Sequence, residues 1–368
     1  MKSAVPHNLT SSLTTVSTSP LPAASALCYF FSILMPVVVR CLFVLVALLS
    51  CARAQVQYLA LKDPQSPQGI PYTRYYTTDR FNRRITFYVS GNQDERLPII
   101  VSVLGSGAFS NFIRRGDQVL DAHRTAREVF GERAHILIVE KPGVDFLEQH
   151  PDRGTAIQGS SEFRKEHTLD RWSEAVSAAL RAARTLLLSD PSRSLLIGHS
   201  EGGIVVARVA AENSFVTHVA TLAGGGPTQL FDLLEAARAG RLYEDMPRDA
   251  GKQVAKLLAD VAEIQSDPND PEKLFLGHPY RRWSTFWSSS TLEELLKTHV
   301  RIFIAQGTAD RNVSVTGFDM LYAGLLAHRK PVTVRLIVGA DHGFGFADQR
   351  GRDGWTEIFE DVRNWFLE

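Results

Sequence analysis

One stretch limits the folds open to this chain more than any other. The apolar run Leu195-Leu196-Ile197 stops at Gly198, His199, Ser200 and Glu201 follow, then Gly202 and Gly203, and Ile204 to Ala211 reads as a buried helix. Strand, sharp turn and helix are thus packed into a very short segment. The pattern Gly198-x-Ser200-x-Gly202 suits a serine held on a strained turn, with small residues on either side so that strand and helix approach closely. The first N–H groups of the helix then lie beneath the hydroxyl, free to face an oxyanion. The rival reading is a glycine-rich packing turn. The apolar strand before the pattern and the apolar helix after it favour a nucleophile.

The rest of the chain repeats the strand-and-helix theme. Residues 84–89 alternate polar and apolar, and Gly91-Asn92 follow as a turn. Residues 98–104 are a nearly continuous apolar run, the mark of a strand covered on both faces, and 136–139, 218–223, 301–305 and 334–338 read as further strands, most of them continuously apolar. Helices are expected over 117–130, over 168–188, where Leu169, Trp172, Val176, Ala179, Leu180, Ala183 and Leu187 form one stripe, near 317–328, and at the end of the chain around Trp355, Phe359, Val362 and Phe366. Such alternation implies an α/β fold with a mostly parallel sheet and helices on both faces. Between Pro227 and Val300 no convincing strand appears. Leu230, Leu233, Leu234 and Ala237 make one helical stripe, Val254, Leu257, Leu258 and Val261 another, and Ser290-x-x-Glu293 is a capping box. The expected organisation is a core of residues 55–226 and 301–368 with a helical cap, 227–300, inserted over the carboxyl edge of the sheet.

Residues 1–54 differ in kind. Residues 1–27 are rich in Ser, Thr, Pro and Ala, and the segment has Lys2, Arg40 and Arg53 but no acidic residue. Cys41 to Ser50 is too short to cross a bilayer and suits the apolar region of a signal peptide, with Ala52-Arg53-Ala54 as the cleavage signal before Gln55. The expectation is an exported protein, periplasmic or secreted, with translation starting at Met35. Alternatives are a lipid-modified Cys51 and a membrane tether built from residues 24–50. The chain as a whole has 40 basic and 40 acidic residues and no basic run, which argues against a nucleic-acid partner. All three cysteines (Cys28, Cys41, Cys51) lie in the leader, so the body has no thiol for disulfides or a cysteine metal site. No metal cluster or phosphate-binding loop is read, so no cofactor is expected.

A serine hydroxyl needs a base, and the base needs an orienting group. Asp310 follows the strand 301–305 in Gln306-Gly307-Thr308-Ala309-Asp310, and His342 follows 334–338 in Gly339-Ala340-Asp341-His342-Gly343-Phe344. With G-H-S-E-G-G at 198–203, Q-G-T-A-D-R-N-V at 306–313 and G-A-D-H-G-F at 339–344, the chain resembles the α/β-hydrolase family over about residues 80–368. The resemblance implies a sheet of about eight strands, Ser200 as nucleophile, His342 as base and then acid, and Asp310 as the orienting carboxylate. It also implies an oxyanion hole from the backbone of Glu201 and of Ser106 or Gly107, although Leu104-Gly105-Ser106-Gly107 departs from the commoner His-Gly opening of that loop. Asp341 and Asp232 are fallback carboxylates, and His199 is expected to pack rather than react. Tyr280, Arg282, Trp283 and Trp287 either line a substrate pocket or form the core of the cap. The implied activity is a serine hydrolase acting on an ester, with a small-molecule or peptide substrate. The alternatives are an exported aminopeptidase-like enzyme and a catalytically silent binding protein.

Overall fold

The computed structural model describes residues 58–368 apart from Asn92, Asp152, Arg153 and Arg350. Residues 1–57, with all three cysteines and the segments behind the export and anchor expectations, lie outside the described residues. No described helix is long and apolar enough to cross a membrane.

The central sheet has nine strands: β1 (Leu61–Lys62), β2 (Thr73–Thr78), β3 (Arg84–Val89), β4 (Leu97–Val103), β7 (His135–Val139), β8 (Ser189–His199), β9 (His218–Leu222), β12 (Arg301–Gly307) and β13 (Val332–Ile337). Their order is β1-β2-β3-β7-β4-β8-β9-β12-β13. The first three neighbouring pairs are antiparallel. The five from β7 to β13 are parallel. The sheet is therefore mostly parallel. It has one strand more than expected, because β1 contributes two exposed residues at the edge. Strand β2, Thr-Arg-Tyr-Tyr-Thr-Thr, has no apolar run to announce it and forms by pairing with β3.

The inner strands explain why the sheet must be covered twice. All five residues of β7 are buried, and all five of β9. One face packs on α3 (Leu169–Leu186) and α4 (Glu201–Glu212) through Trp172, Val176, Leu180, Val205 and Val209. The other packs on α1 (Arg124–Phe130) and α10 (Gly354–Leu367) through Phe130, Ile358, Val362 and Phe366. Each such side chain contributes roughly 1.5–3 kcal/mol by leaving water.

Two sequence expectations are corrected. The helix expected over 117–130 begins only at Arg124; residues 112–121 form a hairpin of β5 (Phe112–Arg115) and β6 (Gln118–Asp121). Gly116-Asp117 is its two-residue turn, and a helix-like apolar spacing further on masked it. The segment 227–300 is not wholly helical. It holds α5 (Gln229–Arg238), α6 (Ala250–Ser266), α7 (Tyr280–Phe286) and α8 (Thr291–Leu296), and also a small hairpin of β10 (Leu274–Phe275) and β11 (His278–Pro279). The hairpin turns at Leu276 and Gly277, both with positive φ (46° and 76°), the backbone that a two-residue hairpin requires. The capping box at α8 is present in both directions. A separate apolar cluster ties these helices together through Leu257, Ile264, Phe275, Tyr280 and Trp283.

Candidate active site

Ser200 directly follows β8 and caps α4 with φ = 56°, a left-handed conformation that a non-glycine residue holds only under constraint. The constraints are visible. The Ser200 N–H donates to the Leu222 carbonyl at 2.9 Å, and the Gly203 N–H donates to the Ser200 carbonyl at 2.8 Å. Gly105, on the loop after β4, packs so close that a methyl there would lie 3.0 Å from Ser200 Cβ and 3.3 Å from its Oγ. The turn thus presents the hydroxyl at the carboxyl edge of the sheet, under the helical segment 227–300.

His342 and Asp310 come to the same edge from the loops after β13 and β12. His342 Nε2 is 3.0 Å from Ser200 Oγ, and His342 Nδ1 is 2.8 Å from Asp310 Oδ2. A carboxylate only accepts, so Nδ1 carries the proton and Nε2 offers its lone pair to the serine O–H. Asp310 is buried and receives three further hydrogen bonds, from the Gln306 amide at 2.7 Å and from the backbone of Asn312 and Val313 at 2.8 and 3.0 Å. Burial pushes its carboxyl up, but the hydrogen bond and charge of His342, with the two backbone donors, outweigh burial and hold it below the usual carboxylate range.

The fallback carboxylates are differently employed. Asp341 Oδ1 accepts from the backbone of Gly343 and Gly345 at 2.9 and 2.7 Å, which folds its own turn. Asp232 lies in the cavity wall and accepts from the Ser314 N–H at 2.9 Å. Burial, with the nearby charge of Asp310, pushes its carboxyl up to about 7.

The cavity over Ser200 has a volume of about 560 Å³ and is shared between the two parts of the fold. Leu104, Gly105, Ser106, Ser200, Glu201 and His342 come from the core, and Gln229, Leu233, Arg282 and Trp283 from the helical segment. Of the two candidates for a second oxyanion donor, Ser106 lines the cavity. Gly107 does not; its carbonyl accepts from Lys141 Nζ at 2.7 Å, which anchors the loop from behind. Tyr280 and Trp287 are corrected as pocket residues. Neither lines the cavity: Tyr280 donates its hydroxyl to Glu263 at 2.8 Å, and Trp287 packs on the apolar cluster of the segment. Tyr280, Trp283 and Trp287 share one stripe of α7 and its C-cap that packs on the apolar cluster, and of the three only Trp283, beside Arg282, also reaches the cavity wall. Among the described residues no group of His, Cys, Asp or Glu is arranged to hold a metal ion.

His199 does more than pack. Its Nε2 donates to the backbone carbonyl of His342 at 2.9 Å, and its ring lies against those of His342 and Trp355, with centroids 4.9 Å away in both cases. Burial pushes it down to about 4, so the ring stays neutral and keeps one donor for that carbonyl. Replacing His199 by Phe keeps a ring and removes the donor. Turnover is expected to fall roughly threefold to tenfold at unchanged KM, the worth of one hydrogen bond. A variant within twofold of the parent in kcat would show that the loop needs no such tether.

The chain belongs to the alpha/beta hydrolase family, whose family model matches residues 133–352. The match spans the elbow, the Asp310 loop and the His342 loop. Among solved structures, the ferulic-acid-bound Est1E of Butyrivibrio proteoclasticus aligns at 16% identity and a TM-score of 0.51, covering 79% of this chain and 98% of its own. The alpha/beta hydrolase GrgF of Penicillium sp. aligns at 14% identity and 0.50, covering 81% and 98%. The acylaminoacyl peptidase of Pyrococcus horikoshii aligns at 13% and 0.54, covering 82% of this chain and 42% of its own. These likenesses show a shared fold. No curated protein matches the chain in sequence.

Proposed function

We propose that this protein is a serine hydrolase that cleaves a carboxylic ester through an acyl-enzyme. The observation that carries the reading is the unbroken relay from Asp310 through His342 to Ser200. His342 Nε2 takes the hydroxyl proton as Ser200 Oγ bonds to the substrate carbonyl carbon. The carbonyl oxygen becomes an oxyanion facing the N–H groups of Glu201 and Ser106, each such donor being worth about 3 kcal/mol in the transition state. The imidazolium, stabilised by Asp310, then returns its proton to the leaving oxygen as the ester bond breaks. A water molecule repeats the sequence and frees the acid. Segment 227–300 serves as the cap that shapes the pocket. The short apolar run 41–50 and Ala52-Arg53-Ala54 support placing this activity outside the cytoplasm.

A fluorophosphonate probe is expected to label Ser200 stoichiometrically, and a panel of 4-nitrophenyl esters of graded chain length is expected to be turned over in preference to aminoacyl anilides. Faster turnover of the anilides would move the reading to a peptidase. Absence of both labelling and turnover would leave a binding protein on a hydrolase scaffold.

A further inference from the structure

Glu201, the residue after Ser200, has a fully buried side chain and is held from two sides. His167 Nε2 donates to its Oε1 at 2.6 Å, and the Arg282 guanidinium donates from Nη2 to its Oε2. His167 precedes α3 in the core, and Arg282 lies on α7 in the helical segment, so the two parts of the fold meet on the neighbour of the nucleophile. Arg282 is only 3% exposed, yet it lines the cavity over Ser200. Its guanidinium lies over the Trp283 ring, 3.9 Å from the centroid, and 4.8 Å from that of Phe286. Glu201 uses one of its three nitrogens. The other two, Nε and Nη1, are buried and have no hydrogen-bond acceptor among the described residues. Buried donors without acceptors are costly, and the side chain that carries these two also lines the cavity over Ser200.

We propose that Arg282 is a specificity-determining residue that binds a neutral oxygen acceptor, such as a ketone or amide carbonyl, in the acyl part of the substrate a few atoms from the scissile bond. The charges around it select that class over a free carboxylate. Glu201 already cancels the guanidinium charge. His167 adds none, since burial and then the charge of Arg282 hold it well below its ordinary value. The same cavity is bordered by Asp232, whose own carboxyl is pushed up by burial and by Asp310. A free carboxylate would have to give up its hydration beside Glu201 and Asp232, and among the described residues of the wall the one guanidinium is already paired with Glu201. A carbonyl oxygen brings acceptor lone pairs without that repulsion.

The inference rests on the serine-hydrolase reading, and the test separates the two. The kcat/KM values of the 4-nitrophenyl esters of pentanoate and hexanoate are compared with those of 4-oxopentanoate and 5-oxohexanoate, each divided by its own rate with hydroxide, alongside the glutarate monoester. For the parent protein at least one keto ester is expected to exceed its alkyl partner by about tenfold, the cost of one or two buried unpaired donors. In Arg282→Met that ratio is expected to fall to near one, with Arg282→Lys in between. If Arg282 only supports Glu201, both esters fall by the same factor and the ratio survives, which overturns the proposal. A ratio of one in the parent at both lengths, or a preference for the glutarate monoester, also overturns it. Should no ester be turned over, the hydrolase reading fails on its own. The subsite is then measured by equilibrium binding of N-methyl-4-oxopentanamide and N-methylpentanamide to Ser200→Ala. About tenfold tighter binding of the keto amide supports the proposal, and equal binding overturns it.

Discussion

Ser200→Ala should lower turnover of the best ester by about six orders of magnitude while leaving substrate binding nearly intact, the pattern seen when a serine nucleophile is removed. Among the described residues that line the cavity the other hydroxyl, Ser106, donates to the Gly154 carbonyl and not to an imidazole. His342 offers Nε2 to Ser200 Oγ alone, and Asp310 is committed to four donors. Asp310→Asn should cost about four orders, for a different reason. An asparagine that turns its NH2 toward His342 forces Nδ1 to become the acceptor, so Nε2 carries the proton and can no longer take one from Ser200. Both variants should keep the parent melting temperature to within a few degrees. Steady-state rates, active-site titration and thermal unfolding measured together check this. If Ser200→Ala kept more than one part in a thousand of the activity, the nucleophile would have to be sought elsewhere.

Gly202→Ala should damage both folding and activity, although it adds a single methyl group. Its Cβ would stand 2.5 Å from the Val103 carbonyl oxygen and 2.7 Å from that of Leu104. Both are main-chain atoms at the end of β4, so no side-chain rotation relieves the clash. Either α4 shifts or the β4 loop does. The cost should be about 3 kcal/mol or more, the upper range for overpacking a rigid site. The loop that would move carries Gly105 and Ser106, the wall nearest the nucleophile, and a displacement of about 1 Å there is expected to cost about a hundredfold in kcat. Gly251→Ala is the control. It lies exposed in α6, where its Cβ would meet only Asp249 Oδ1 at 3.4 Å, and it should gain about 0.5–1 kcal/mol from helix propensity. Thermal unfolding of the two variants with kcat on one ester separates the cases. A Gly202→Ala protein with parental stability would mean that strand and helix are not in close contact at the elbow.

Much of this architecture is readable from local sequence. The apolar runs at 98–104, 136–139 and 218–223 match β4, β7 and β9 within a residue or two, because a strand buried on both faces has no polar positions to blur its edges. The amphipathic stripe of α3 and the capping box of α8 are local for the same reason. What escaped depends on partners distant along the chain. Strand β2 is a polar sextet that becomes a strand only beside β3. The hairpin at 112–121 and the small one at 274–279 rest on two-residue turns inside segments whose spacing also suits helices.

The site divides along the same line. Gly198-x-Ser200-x-Gly202, Asp310 and His342 stand out in the sequence because each follows a run of strand-forming apolar residues, and the parallel order of those strands brings their loops to one edge. That His199 holds the His342 carbonyl, that Lys141 braces the Gly107 carbonyl, and that Arg282 reaches Glu201 across 81 positions are facts of the folded state only. That Ser200, His342 and Asp310 follow strands and so meet at one edge is thus a matter of residue type and order along the chain, determined by the sequence itself. Which side chains face the cavity is decided by how α7 is turned when the helical segment packs on the sheet, and that phase is set by the sum of many apolar contacts.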